Sequence, residues 1–164
     1  EIESIDRIIT DHLMAAGLSL SPERKSPTFR RYLVGNALQL DLVKDVDFRV
    51  GAPQLIEGIM VDSLKNIAVN KVLAVYGRLE PKDYVDLYFL LKPGDFDIMD
   101  LLSLATNKDA GIEPFNWSRV INDVQDITIL PKMVIHIDLD QIKIFFNALK
   151  DQVLDQIKPP KLIR

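Results

Sequence analysis

The sequence contains no cysteine. Disulfide frameworks, thiolate metal sites and cysteine nucleophiles are therefore excluded. Its two histidines, His12 and His136, lie far apart, so a histidine-rich metal site is not expected. A Ser-His-Asp triad would have to recruit one of them. No run of about 18 apolar residues occurs, so no membrane span is expected. No secretory leader is visible, which makes a cytoplasmic location the default. Neither sign of charge dominates: 20 basic residues face 24 acidic ones, for a net charge of −4. This argues against a generally basic nucleic-acid wrapper and leaves room for a local basic patch. The chain starts with Glu1 rather than methionine, and the expectation is a start inside a longer gene product or after a cut.

What is present is ordinary for a folded protein. Of 164 residues, 48% are hydrophobic and 27% charged, enough for one substantial core. Apolar spacing predicts a first helix over 4–16, capped by Ser4, with Ile5, Ile8, Ile9, His12, Leu13 and Ala16 on one face and Gly17 at its end. Residues 18–28 read as loop or strand edge. Two strands, 29–34 and 37–43, flank Gly35-Asn36, a hairpin signal. In the second strand Asp41 points away from Leu38, Leu40 and Leu42. A loop with a short strand fills 44–58, and 59–61 is another short strand. A helix over 63–76 follows, capped by Ser63 with a stripe of Leu64, Ile67, Ala68, Val72 and Val75. Further helices are expected over 82–91 behind Pro81, from Asp95 or Asp97 to about 106, over 114–124, and from Asp138 or Asp140 to about 157, stopped by Pro159-Pro160. Trp117 and Phe115 are expected to anchor the helix over 114–124 in the core. The last helix places Ile142, Phe145, Phe146, Leu149, Val153 and Ile157 near one face, which suits docking onto the core or self-association. The order is α+β.

Four positions stand out chemically. Lys71 falls in the middle of an otherwise apolar stripe. An unpaired ammonium there would cost several kcal/mol, so it must snorkel to solvent, reach a carboxylate or line a cleft. The segment PKDYVDLYFLL is apolar almost all round, and Asp83 and Asp86 share a face three residues apart. Asp83 sits in the first helical turn, where the dipole favours an acid; Asp86 lies deeper. A structural bridge from Lys71 to either acid and a catalytic use of the same groups are both open. Asp41 is an acid on an otherwise leucine and valine strand. Asp45-Val-Asp47 is a loop DxD of the kind that can hold Mg2+ against phosphates, or an accident of a polar turn. Arg24, Lys25, Arg30 and Arg31 form either a modest phosphate patch or a solvated loop.

Residues 38–91 together resemble the AbiEii/AbiGii-type nucleotidyltransferases, the abortive-infection toxins. Members carry a strand with an inner acid, a helix of the type SLEDIAAxKLxA, and then R/K-D-x-x-D-L-Y-x-L. The matching parts are LQLDLV with Asp41, the helix SLKNIAVNKVLAVY with Lys71, and KDYVDLYFLL with Asp83 and Asp86. The resemblance implies transfer of a nucleotide from an NTP, with Mg2+, to an acceptor that in some members is tRNA, and a cognate antitoxin as partner. It implies a catalytic set of Asp41, Lys71, Asp83 and Asp86. Asp41 would be a metal acid, and Lys71 would bind the nucleotide by neutralising triphosphate charge. Asp83 or Asp86 would orient Lys71 or touch the acceptor or base. By the same resemblance, residues 1–92 form a nucleotidyltransferase-like region and 93–164 a helical region packed on it.

The family's Gly-Gly or Gly-Ser followed by Asp-x-Asp does not precede Asp41 here. Gly35-Asn36 with Asp45-Val-Asp47 imitates its spacing but overlaps the strand already matched. The expectation is an incomplete catalytic fragment whose motif lies upstream of Glu1. The alternative is a degenerate, non-catalytic module that binds a protein partner. A plain helical scaffold with a buried Lys-Asp bridge is a third possibility.

Overall fold

The computed structural model describes residues 2–158. Contacts divide the chain into two compact units, one ending at Asp47 and the other beginning at Phe48. The architecture is α+β: six α-helices and two small antiparallel sheets among the described residues.

In the first unit, helix α1 (Ile2–Ala15) precedes strands β1 (Leu20–Ser26), β2 (Phe29–Val34) and β3 (Leu38–Val43), which pair antiparallel in that order. The helix starts ahead of Ser4, so Ser4 is not its cap. Gly17 closes it at φ +78°, with Leu18 N–H bonding the carbonyl of Leu13 across the reversal. Of the two readings of residues 18–28, loop or strand edge, the strand edge holds over Leu20–Ser26. Pro22 is accommodated because β1 is an edge strand and its register slips between Pro22 and Arg24. At the hairpin, Gly35 and Asn36 both take positive φ, and Ala37 N–H bonds the Val34 carbonyl at 3.2 Å. That is the turn whose twist matches paired strands.

The inner side of α1 is not the expected isoleucine face. Ile5 and Ile8 are exposed, and Asp6 is the buried residue. The reason is a polar node. The Arg30 side chain is buried. Its Nε donates to Asp6 Oδ2 at 3.3 Å, and Tyr32 Oη donates to Asp6 Oδ1 at 2.7 Å. Arg30 also donates to the carbonyls of Ser26 and Phe29. A buried guanidinium and carboxylate need such mutual satisfaction, and it turns the helix accordingly. Burial, then the Asp6 bond, pushes the Tyr32 hydroxyl above its ordinary pKa.

The second unit opens with the hairpin β4 (Gln54–Ile56) and β5 (Ile59–Val61). Five helices follow: α2 (Leu64–Gly77), α3 (Pro81–Leu91), α4 (Ile98–Ala105), α5 (Pro114–Val120) and α6 (Leu139–Ile157). The expected helix over 114–124 ends at Val120 and tightens into a 3-10 segment, Ile121–Asp126. Ser63 caps α2 by accepting from Asn66 N–H at 3.1 Å, Asp97 caps α4, and Asp138 caps α6. The expected Pro159-Pro160 stop lies outside the described residues.

The core of this unit gathers Val72, Tyr84, Leu87, Leu101, Trp117 and Phe146, all essentially inaccessible. Each such side chain contributes roughly 1.5–3 kcal/mol by burial. Ile142, Phe146, Leu149 and Val153 dock α6 into it, as the spacing predicts. Trp117 anchors α5 and donates from Nε1 to the Val72 carbonyl at 3.0 Å. Phe115 does not join it and stays 54% exposed, because it sits on the outer side of a two-turn helix whose inner side is taken by Trp117 and Ser118. Leu64 is likewise exposed, being the first residue of α2, ahead of the buried stretch that starts at Asn66. Asn66 is wholly buried and accepts from Val50 N–H at 3.0 Å. Gly51 lies at φ +76°, and a Cβ there would come within 3.0 Å of Ser63 Oγ, so the loop requires glycine at this point.

Candidate functional site

The second unit builds a charged cluster between α2 and α3. Lys71 lies on the side of α2 that meets α3, beside the buried Ala68, Val72 and Val75. Its Nζ stands 2.9 Å from Asp83 Oδ1 and 2.6 Å from Asp86 Oδ2. Arg78, just past the end of α2, donates from Nε to Asp83 Oδ2 at 2.7 Å. Pro81 starts α3 and places Asp83 in its first turn.

The two acids are not equivalent. The Asp83 side chain is completely buried, whereas that of Asp86 is half exposed. The acid of the first helical turn is thus the buried one, and the acid deeper in the helix lies nearer the surface. The turn at Pro81 drives Asp83 inward against both cations and leaves Asp86 at the rim. Burial alone would raise the Asp83 carboxyl, but the bonds and charges of Arg78 and Lys71 outweigh it and hold it below the usual range. For Lys71 burial works downward, and the bonds from Asp86 and Asp83 overcome it, so the ammonium is held above its ordinary value. Lys71 and Asp83 are thus both held in their charged forms at neutral pH. Lys71 keeps 24% of its side-chain surface accessible.

Asp41 belongs to the first unit. It lies opposite Arg31 in the β2–β3 register. Arg31 clasps both of its oxygens, Nε to Oδ1 at 2.8 Å and Nη2 to Oδ2 at 2.7 Å. Gln39 donates to Oδ2 as well. The Asp41 bond, opposed by burial and helped by the charges of Asp41 and Glu23, raises the Arg31 pKa further. The phosphate patch, one of the two readings of Arg24, Lys25, Arg30 and Arg31, is thus not assembled. Arg30 is buried on Asp6, and Arg31 is neutralised by Asp41.

The resemblance implies a divalent metal, which needs several oxygen donors converging on one point. Among the described residues no three His, Cys, Asp or Glu side chains are grouped to hold one. Asp41 spends both oxygens on a guanidinium, and Asp45 turns an oxygen onto the N–H of Val46. The described residues therefore do not fit a metal centre. They fit a charge-positioning site.

Sequence reasoning missed Arg78 as the second cation on Asp83, and Asp6 as a buried acid. Arg78 carried a signal, since it follows Gly77 and precedes Pro81, the two punctuation marks of a tight helix-to-helix connection. Asp6 carried none, because its partners come from strands more than twenty residues later.

No helix among the described residues is long and apolar enough to cross a membrane. No curated protein matches the chain, and no solved structure does. The family model described as nucleotidyl transferase AbiEii toxin, type IV toxin–antitoxin system, matches residues 26–158. That span holds the β2–β3 hairpin with Asp41, the helix with Lys71, and the pair Asp83 and Asp86, and with most of its length so matched the chain belongs to the AbiEii family.

Proposed function

We propose that this chain serves a Mg2+-dependent nucleotidyltransferase that moves a nucleotide from an NTP to an RNA acceptor, tRNA included. In this reading it acts in the cytoplasm as the toxin of a toxin–antitoxin pair and is held in check by a cognate antitoxin. The observation that carries the reading is the Lys71 ammonium, gripped from within by a buried acid and from the rim by an exposed one.

In such a transfer the acceptor hydroxyl oxygen bonds to the α-phosphorus as the bond to pyrophosphate breaks, and the hydroxyl proton is lost to solvent or a base. The protein's part is positioning and charge stabilisation. Asp83 is the fixed partner of Lys71, because Arg78 and burial immobilise it. Asp86 is the exchangeable partner. A triphosphate reaching the accessible surface of Lys71 takes the place of Asp86, and Lys71 then neutralises charge that grows on the departing pyrophosphate. Asp83 is a positioning residue in this scheme, and Asp86, once released, is available to the acceptor or base. Asp41 joins the chemistry only where Arg31 finds another anion. Among the described residues no three metal-ligating side chains are grouped, and no step is assigned to the metal.

The test uses the protein as its gene encodes it. Incubation with labelled NTPs and total RNA should label RNA, and Lys71→Ala should abolish the labelling. RNA that stays unlabelled with all four NTPs would overturn the reading.

A second reading is favoured by one observation, the closed Arg31–Asp41 clasp. It makes the chain a non-catalytic module of the same fold that binds a protein partner. Calorimetry separates the two, since this module would show no Mg2+-dependent NTP binding.

A further inference from the structure

Several cations of the second unit are spent on carboxylates. Arg49 meets Asp62, Lys65 meets Asp100, and Lys71 and Arg78 meet Asp83. The groove along α5, the 3-10 segment and α6 is different. Lys143 Nζ donates to the Gln125 carbonyl at 2.8 Å. Lys150 Nζ donates to the side-chain oxygens of Asn122 at 3.1 Å and Asn147 at 2.7 Å. Both lysines rest on neutral oxygens. Arg119 is exposed between them and Tyr76.

These residues line three shallow clefts of about 320, 360 and 260 Å3. Arg119 is shared by the first two, and the Lys150 bonds to Asn122 and Asn147 join the second to the third. The clefts therefore form one track. Its lining holds three cations and one carboxylate, Asp123 beside Arg119, and so is net positive in a chain whose total is −4. Lys143 and Lys150 are seven residues apart on α6, which is about 10 Å along the axis on one side of the helix.

One end of the track carries Phe115. Its ring is 54% exposed and stands one helical turn before Arg119. It lines both the track and the neighbouring cleft of about 560 Å3. An exposed aromatic ring, cations resting on neutral oxygens and a row of side-chain amides is the combination that receives unpaired nucleotides. Cations take phosphates, the ring stacks a base, and amides bond base edges. Exchange of an amide oxygen for a phosphate oxygen gives each lysine a charge-assisted bond.

We propose that the α5–α6 track is a binding surface for single-stranded RNA, with Arg119, Lys150 and Lys143 on phosphates and Phe115 stacking a base. It rests on the reading above, in which the acceptor is RNA, and it gives that acceptor a place away from Lys71.

The test is the affinity of the protein, as its gene encodes it, for a short fluorescein-labelled single-stranded RNA, read by anisotropy without NTP across a salt series. Arg119→Gln, Lys143→Gln and Lys150→Gln combined should weaken binding about tenfold or more at low salt. They should also flatten the slope of log K against log salt by roughly two. Phe115→Ala should weaken binding with the slope unchanged. Lys71→Ala should bind RNA like the parent while losing the labelling activity. RNA affinity and slope that the triple variant leaves unchanged, with circular dichroism showing the fold intact, would overturn the surface and leave the transferase standing. Loss of binding in the triple variant with labelling that survives Lys71→Ala would support the surface and sink the transferase scheme. A parent protein that binds no RNA at low salt would overturn the surface outright.

Discussion

Asp83 lies fully buried at the α2–α3 junction with Lys71 Nζ 2.9 Å from one of its oxygens, while Arg78 holds the other. Every polar atom of that carboxylate is spoken for, and each bond crosses between different turns of chain. The pair is therefore a fastener between helices as well as the inner wall of the site.

Breaking it should be costly. Asp83→Asn leaves the geometry but removes the charge that both cations answer. Loss of one member of a buried ion pair is strongly destabilising, and the partial exposure of Lys71 and Arg78 moderates the effect. Urea unfolding should show a loss of about 2–3 kcal/mol. Asp86→Asn, at the rim, should cost less than about 1 kcal/mol. Equal costs for the two substitutions would contradict the inner and outer roles given to these acids.

The same cluster sets a stability window in pH. Asp83 is held below its ordinary 3.8. Its contribution is complete above that value and disappears as pH falls through the lower folded pKa. Lys71 is held above its ordinary 10.5. Its contribution is complete below that value and disappears as pH rises through the higher folded pKa. Urea midpoints should form a plateau from about pH 4 to about pH 10 with losses on both sides, and Asp83→Asn should shrink the acid-side loss. An acid limb of the same size in the variant would show that other carboxylates cause it.

Tyr84 offers an independent check on the alkaline side. Its hydroxyl is buried with no hydrogen-bond partner among the described residues, and its ring packs edge-on to Phe146 at 5.2 Å. Burial, with a smaller push from Asp123, raises it from 10.0 to about 12. The raised value means its share of stability is present below pH 10.0 and is lost as pH climbs through about 12. Tyr84→Phe keeps the ring contact and deletes the orphan oxygen. It should stabilise the protein at pH 7 by up to about 1 kcal/mol and reduce the alkaline loss. A destabilised variant would indicate a bridging water at that oxygen.

Arg31 and Asp41 form a cross-strand pair, each side chain about one-third exposed. A double-mutant cycle with Arg31→Ala and Asp41→Ala should give a coupling of about 0.5–1 kcal/mol. Where Asp41 also serves the transfer reaction, Asp41→Asn lowers RNA labelling far more than Arg31→Ala does. Parallel losses in the two variants would leave Asp41 a structural partner only.

Local order was largely readable from the chain. The cap at Ser63, the Gly35-Asn36 turn and the Pro81 start rest on interactions within a few residues and appear where spacing and chemistry put them, and of the paired candidates Asp97 and Asp138 form the other two caps. The oddity of Lys71 was readable for the same reason, since helical periodicity alone sets a cation among apolar neighbours. What sequence could not assign was which side of a short or amphipathic element faces inward. Phe115 and Trp117 sit two residues apart on a helix of seven residues, too short for periodicity to choose between them.

The sequence by itself thus determined most of the helices, the hairpin, the family pattern and the oddity of a cation at Lys71. Tertiary structure alone decided that Asp83 is the inner acid, that Arg78 shares it, that Arg31 clasps Asp41, and that Asp6 rather than Ile5 meets the sheet. The physical reason is range. Propensity and capping act over a turn or two, whereas the partner of a buried charge is chosen by whichever distant segment packing brings within about 3 Å, and no local pattern records that choice.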